Sequence, residues 1–149
     1  MISTIVKSGI FYKAKLLSYQ FSDILSLSKE LVASKLAISS EDSELIYSFL
    51  ESALGSLVES LPPTSEMVNS QESYTLTIPT EANFSTIQTT GIDTEIKDYL
   101  VNFVLNEWYK LLYPERCQFH ILAMEQNRTN IHVRLNKRTE PVRRGLSPW

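Results

Sequence analysis

The side chains of this chain that could do chemistry are few and scattered. The two histidines, His120 and His132, stand twelve residues apart. On one helix that spacing separates them by roughly 18 Å along the axis, too far to share a metal. No Asp or Glu falls where it would complete a metal set or a triad, so each histidine reads as a partly exposed surface residue. Cys117, the single cysteine, follows Arg116, whose charge would favour a thiolate; on an apolar helical seam it reads instead as a small buried apolar side chain. Glu107, beside Phe103 and Trp108, is either a buried acid with a raised pKa or a rim residue paired with Lys110 or Arg116. The rim reading is preferred, because no partner base accompanies it. The glycines Gly9, Gly55, Gly91 and Gly145 are spread along the chain and build no phosphate loop. Asn83-Phe84-Ser85 and Asn127-Arg128-Thr129 match the glycosylation pattern, but without a secretion signal they read as chance matches. The expectation is a protein with no catalytic, cofactor-binding or metal site, and not an enzyme.

The elements that must position these residues come from the hydrophobic pattern. Residues 1–12 hold scattered apolar side chains (Ile2, Ile5, Val6, Ile10, Phe11) and read as a loosely packed lead-in. From about Lys13 to Leu36, the set Leu17, Phe21, Ile24, Leu25, Leu31, Val32 and Leu36 falls on one side of a helix. Five serines in this stretch weaken its intrinsic propensity, so tertiary packing has to hold it. The second helix is the clearest. Leu45/Ile46, Phe49/Leu50, Ala53/Leu54, Leu57/Val58 and Leu61 recur every four residues and form a core stripe. Ser39 as N-cap with Asp42 three residues on resembles a capping box, and Pro62-Pro63 ends the helix.

Tyr74, Leu76 and Ile78 then alternate with polar neighbours, the period of a half-buried strand, and Phe84 to Thr90 offers an antiparallel partner. A third helix from Asp93 or Thr94 to about Tyr113 is apolar on most of its circumference (Ile96, Tyr99, Leu100, Phe103, Val104, Trp108, Leu111 and Leu112, with Val101 and Leu105 at the side). Such a helix is either central or at a subunit contact. After Pro114, Cys117, Ile121, Met124, Arg128, Ile131 and Leu135 form a helical seam. A hairpin turning at residues 126–130 competes, and helix is preferred because no Gly or Pro interrupts 115–138. Glu140 to Trp149 reads as an extended arm. The fold class is therefore mainly α: a small bundle of about four helices in a domain over 1–139, with a β insertion at about 73–90 and the arm at 140–149.

Composition agrees with a foldable domain. The chain has 149 residues, 43% apolar and 21% charged, ordinary for a globular protein. Apolar runs of three or four residues exclude a membrane span and leave no signal-peptide core; a lone cysteine excludes an internal disulfide and suits a reducing compartment. The net charge of −3 is uneven: Arg128 to Trp149 carries six basic residues and one acid, and residues 1–127 carry −8. An acidic body with a basic tail can dock on copies of itself, or the tail can touch a polyanion. Sequence-blind phosphate contacts are the most such a tail could make with nucleic acid.

The segment from Ile96-Lys97-Asp98-Tyr99-Leu100-Val101 through Asn106-Glu107-Trp108-Tyr109-Lys110, the basic stretch Leu135-Asn136-Lys137-Arg138, and the end Pro141-Val142-Arg143-Arg144 with Trp149 give a layout that resembles the small head–tail connector (adaptor or neck) proteins of tailed bacteriophages. The likeness lies in order and texture over roughly residues 15–149. It implies a structural virion protein, assembled in the host cytoplasm, that forms a homo-oligomeric ring of about twelve copies. It further implies docking on the portal protein and on the next tail or neck protein, with incidental contact to packaged DNA and no membrane. The subunit and portal interface would hold Trp108, Arg138, Arg143, Arg144 and Trp149, since Trp and Arg are the usual interface anchors. A small cytoplasmic helical protein, regulatory or nucleic-acid-associated, is the alternative.

Overall fold

The structure, a computed structural model, describes residues 1–26 and 36–139. The arm from Glu140 to Trp149, with Arg143, Arg144 and Trp149, lies outside these, as do Leu31 and Val32 of the first predicted helix. The protein is mainly helical, with four α-helices among the described residues and a small antiparallel sheet. The order is β1 (Ile2–Val6), α1 (Lys7–Ser26), a 3₁₀ turn (Ser40–Asp42), α2 (Ser43–Ser60), β2 (Glu66–Asn69), β3 (Ser73–Thr77), α3 (Gln88–Leu112), a second 3₁₀ turn (Pro114–Arg116) and α4 (Cys117–Leu135). Within the segment 115–138, Cys117–Leu135 is thus one helix and not a hairpin.

The stripe predicted for α2 is core: Ile46, Leu50, Ala53, Leu54 and Leu57 are fully buried, and each large side chain so buried contributes about 1.5–3 kcal/mol. The capping box is present. The Ser39 N–H donates to Asp42 Oδ2 at 2.7 Å, and the Ser39 hydroxyl donates to the same oxygen. It caps the 3₁₀ turn that leads into α2. Helix α3 is central, packed by α1, α2 and α4, and buries Ile92, Ile96, Leu100, Val104 and Tyr109. It starts at Gln88, several residues before the predicted Asp93, because turn bonds from Gln88 to Ser85 and from Thr89 to Thr86 lead the chain into it.

Three expectations are corrected. Residues 1–12 are no loose lead-in: Ile2–Val6 is a strand, Ile5 is fully buried, and α1 follows at Lys7 without a turn. The partner of the Tyr74–Leu76 strand is not Phe84–Thr90. β3 lies in the middle of the order β1-β3-β2, with Ile5 opposite Tyr74 and Val68 opposite Thr75. Phe84 instead forms a lone bridge with Arg138, flanked by Ser85 N–H to the Lys137 carbonyl (3.1 Å) and Thr139 N–H to the Asn83 carbonyl (2.9 Å).

The inner face of α1 is Ile10, Phe11, Ala14, Ser18 and Ser22, whereas Leu17 and Ile24 are exposed. Serine serves there because its hydroxyl is satisfied inside: Ser18 Oγ donates to the Lys15 carbonyl at 2.7 Å and accepts the Ile38 N–H at 2.9 Å. A buried hydroxyl with both partners escapes the penalty that apolar patterning assumes.

Candidate functional site

The seam between α3 and α4 is polar at its centre. Helix α3 breaks its apolar run with Asn102 and Asn106, one turn apart, and α4 answers with His120, Asn127 and Asn130. Asn127 Nδ2 donates to Glu95 Oε2 at 2.8 Å, Asn130 Nδ2 donates to Glu95 Oε1 at 3.1 Å, and the Arg134 guanidinium approaches that carboxylate at 4.0 Å. Asn102 Nδ2 donates to the Asp98 carbonyl at 2.9 Å and faces Asn127 Oδ1 at 3.5 Å. That orientation aims Asn102 Oδ1 at His120 Nδ1, 2.9 Å away.

His120 is 4% exposed, which corrects its reading as a surface residue. Because Asn102 presents its oxygen, the hydrogen bond requires the proton on Nδ1 and leaves Nε2 as a lone-pair acceptor. Burial first, and then the Arg116 charge, push the His120 pKa down to about 4. The ring is therefore neutral at pH 7. It stacks on Tyr109 at 5.5 Å and meets Phe119 edge-on at 5.2 Å. Burial raises the Tyr109 phenol to about 12, partly offset by Arg116.

Beside His120 opens a cleft of about 320 Å³ between α1 and α4, floored by α3. Its apolar walls include Leu17, Phe21, Ile24, Leu105, Tyr109 and Phe119, and its charged and polar members are Gln20, Asn102, Arg116 and His120. The Arg116 guanidinium lies between two rings, 4.5 Å from the Phe21 centroid and 4.2 Å from that of Phe119. Its Nε–H and His120 Nε2 are both buried without a hydrogen-bond partner among the described residues. An orphan donor and an orphan acceptor, both closed off from solvent, thus sit one helical turn apart beside the cleft.

The other predicted site residues fall elsewhere. Trp108 is half-buried, and its indole N–H donates to the Leu36 carbonyl at 2.7 Å. Arg138 pairs with Glu81 at 2.7 Å, closing the bridge between residues 83–85 and 137–139. Glu107 pairs with Lys110, as the rim reading has it. Burial, ahead of the nearby charges, raises the Cys117 thiol pKa, and Sγ points to the Asn106 carbonyl at 3.6 Å, so Arg116 does not activate it. Arg128 is exposed, and Asn127 takes its expected place on the inner face of α4.

Among the chemistry this arrangement offers is binding. A neutral acceptor and a ring-sandwiched cation can hold and orient a ligand. No group of three metal-ligating side chains occurs among the described residues, and no described helix is long and apolar enough to cross a membrane. The pair of asparagines within the apolar run of α3 was the sequence signal of this site. No protein family, curated protein or solved structure matches the chain.

Proposed function

We propose that this chain is a non-enzymatic structural subunit of a head–tail connector ring, joining a portal to the next neck or tail protein in a virion assembled in the host cytoplasm. One observation carries the reading. Tyr12, Leu16 and Tyr19 stand on one face of α1 at helical spacing and are 67%, 58% and 46% exposed. Three large apolar side chains in a row on an outer face are unusual on a solitary protein and suit side-by-side packing. The central place of α3 moves the proposed subunit contact from α3 to α1. Repeated between neighbours, such a heterologous contact closes into a ring when the rotation permits. The basic arm, with Arg143, Arg144 and Trp149, complements the acidic body of a neighbour.

Light scattering of the full chain over a concentration series, with electron microscopy of the largest species, tests this reading. The expected result is a ring that Leu16→Glu reduces to monomers with unchanged helical circular dichroism. A chain shortened after Thr139 is expected to keep its melting temperature and lose stable assembly. A wild-type chain that stays monomeric or dimeric throughout replaces this reading with that of a small regulatory protein.

A further inference from the structure

The sheet ends in an open edge at β2. Alternate residues of a central strand bond to opposite neighbours, and β3 shows which. The Lys7 N–H donates to the Glu72 carbonyl at 3.0 Å and the Ile78 N–H to the Met1 carbonyl at 2.8 Å, so the even-numbered residues of β3 serve β1. The Ser70 N–H donates to the Ser73 carbonyl at 2.9 Å, so the odd-numbered ones serve β2. Thr77 lies opposite Glu66 and Thr75 opposite Val68, which turns the backbone groups of Glu66 and Val68 toward β3. Those of Met67 and Asn69 point outward, and no described loop or helix bonds to them.

The helical layer stops short of this strand. Tyr74 and Leu76 are buried, whereas Asn69 and Met67, opposite them on the same face, are exposed, as are Glu66 and Val68 on the other face. β2 therefore adds no buried side chain to the core, and no proline, lysine or bulge closes its edge. The β1 edge differs. Its Thr4 and Val6 share a groove with Ile10 and Lys13 of α1 and Lys97 of α3, so helices border it.

We propose that β2 is a docking edge for a second copy of this chain, the two β2 strands pairing antiparallel about a two-fold axis at Val68 to make one sheet of six strands. In this register Met67 faces the partner's Asn69, and every outward N–H and C=O of both residues is met. Val68 faces the partner's Val68 and Glu66 the partner's Ser70, each on the same face, as the pleat requires. A register centred on Met67 would set Asn69 against the partner's Ser65. The Ser65 N–H already donates to the Pro62 carbonyl at 2.9 Å, so the Asn69 carbonyl would stay unmet.

The charges agree. Lys7 lies 4.5 Å from the Tyr74 ring centroid, with Nζ 2.8 Å from Asn69 Oδ1 and 2.7 Å from the Ser70 carbonyl. Neither Lys7 nor Glu66 has an ion-pair partner among the described residues. Pairing through Val68 brings the partner's Glu66 beside Ser70, at the strand end that Lys7 holds, once at each end of the dimer.

The contact is small, of the transient class, and involves neither the α1 face nor residues 140–149. The test therefore uses full-length chain carrying Leu16→Glu. Sedimentation equilibrium is expected to show monomers at about 10 μM and dimers toward about 1 mM; a monomer throughout overturns the proposal. Met67→Pro removes an outward N–H and none that serves β3. It is expected to weaken the dimer at least about tenfold with unchanged helical circular dichroism, and a dimer of unchanged strength overturns the proposal. Introduced cysteines read the register against a chain holding Cys117 alone. Val68→Cys places two Cα atoms roughly 4.5 Å apart across the axis, within disulfide reach, and is expected to cross-link faster than Glu66→Cys or Met67→Cys. Fastest cross-linking at Met67→Cys, or none above the Cys117 background, overturns the two-fold assignment. Wild-type rings with a Leu16→Glu chain that never dimerises would leave the ring reading standing and this one fallen; dimers without rings do the reverse.

Discussion

Trp108 and Leu36, seventy-two residues apart, are joined by an indole N–H to carbonyl hydrogen bond of 2.7 Å. The bond ties α3 to the chain just before α2 and satisfies the carbonyl of a fully buried residue. A tryptophan bonded in this way braces the inside of the subunit. Trp108→Phe keeps a ring but leaves the Leu36 carbonyl unpartnered, and is expected to cost about 1–3 kcal/mol. Thermal melts check the cost, and light scattering is expected to show assembly unchanged.

Helix α2 is held by burial and not by propensity. Leu54→Ala and Leu57→Ala are each expected to lose about 2–5 kcal/mol, transfer and cavity terms together. Leu45→Ala, on the exposed edge of the same stripe, is expected to stay within about 0.5 kcal/mol of wild type. Denaturant unfolding of the three variants measures the contrast, and equal losses at all three positions would contradict it.

Acid is expected to weaken the fold through His120. Its folded pKa, about 4, lies below the ordinary value of 6.5 that it regains on unfolding. Between those limits the unfolded chain binds the extra proton, so stability falls as pH falls. The contribution is intact above about pH 6.5 and lost as pH drops to about 4. At about 1.4 kcal/mol per unit, that loss is on the order of 3 kcal/mol. Carboxylates titrate nearby in pH, so the measurement is the difference between wild type and His120→Gln across this window. The variant is expected to show the shallower pH dependence.

Gly91 and Arg134 are coupled. A Cβ at Gly91 would come within 2.6 Å of Arg134 Nη1, the atom that donates to Gln88 Oε1 at 3.1 Å. Alanine at a helical glycine ordinarily gains about 0.5–1 kcal/mol. That gain is expected in an Arg134→Ala background and is expected to shrink or reverse in the wild-type background, where the guanidinium must move. A double-mutant cycle reads the coupling directly.

The parts of this fold that could be read from the sequence are those whose cause is local. The four-residue stripe of α2, the Ser39–Asp42 box and the unbroken run through α4 each carry their reason within a few residues. The β1 strand was illegible because its pairing partner lies some seventy residues away and no turn separates it from α1. Ser18 looked like a weak helix residue because its acceptor role depends on Ile38. His120 looked exposed for a similar reason: what permits its burial is Asn102 on another helix. The cleft is a product of three helices, and only the two asparagines in the α3 run hinted at it.

The place of β1 in the sheet also sets an order of events during synthesis. Residues 2–6 leave the ribosome before their partners, Ser73–Thr77, which follow some seventy residues later. At about 5–20 residues per second the wait is roughly 4–14 s. Throughout it a strand with a buried face at Ile5 has nothing to pair with. The two strands of the β2–β3 hairpin emerge almost together, so the free edge of β3 that β1 pairs with is complete only when Thr77 has been made.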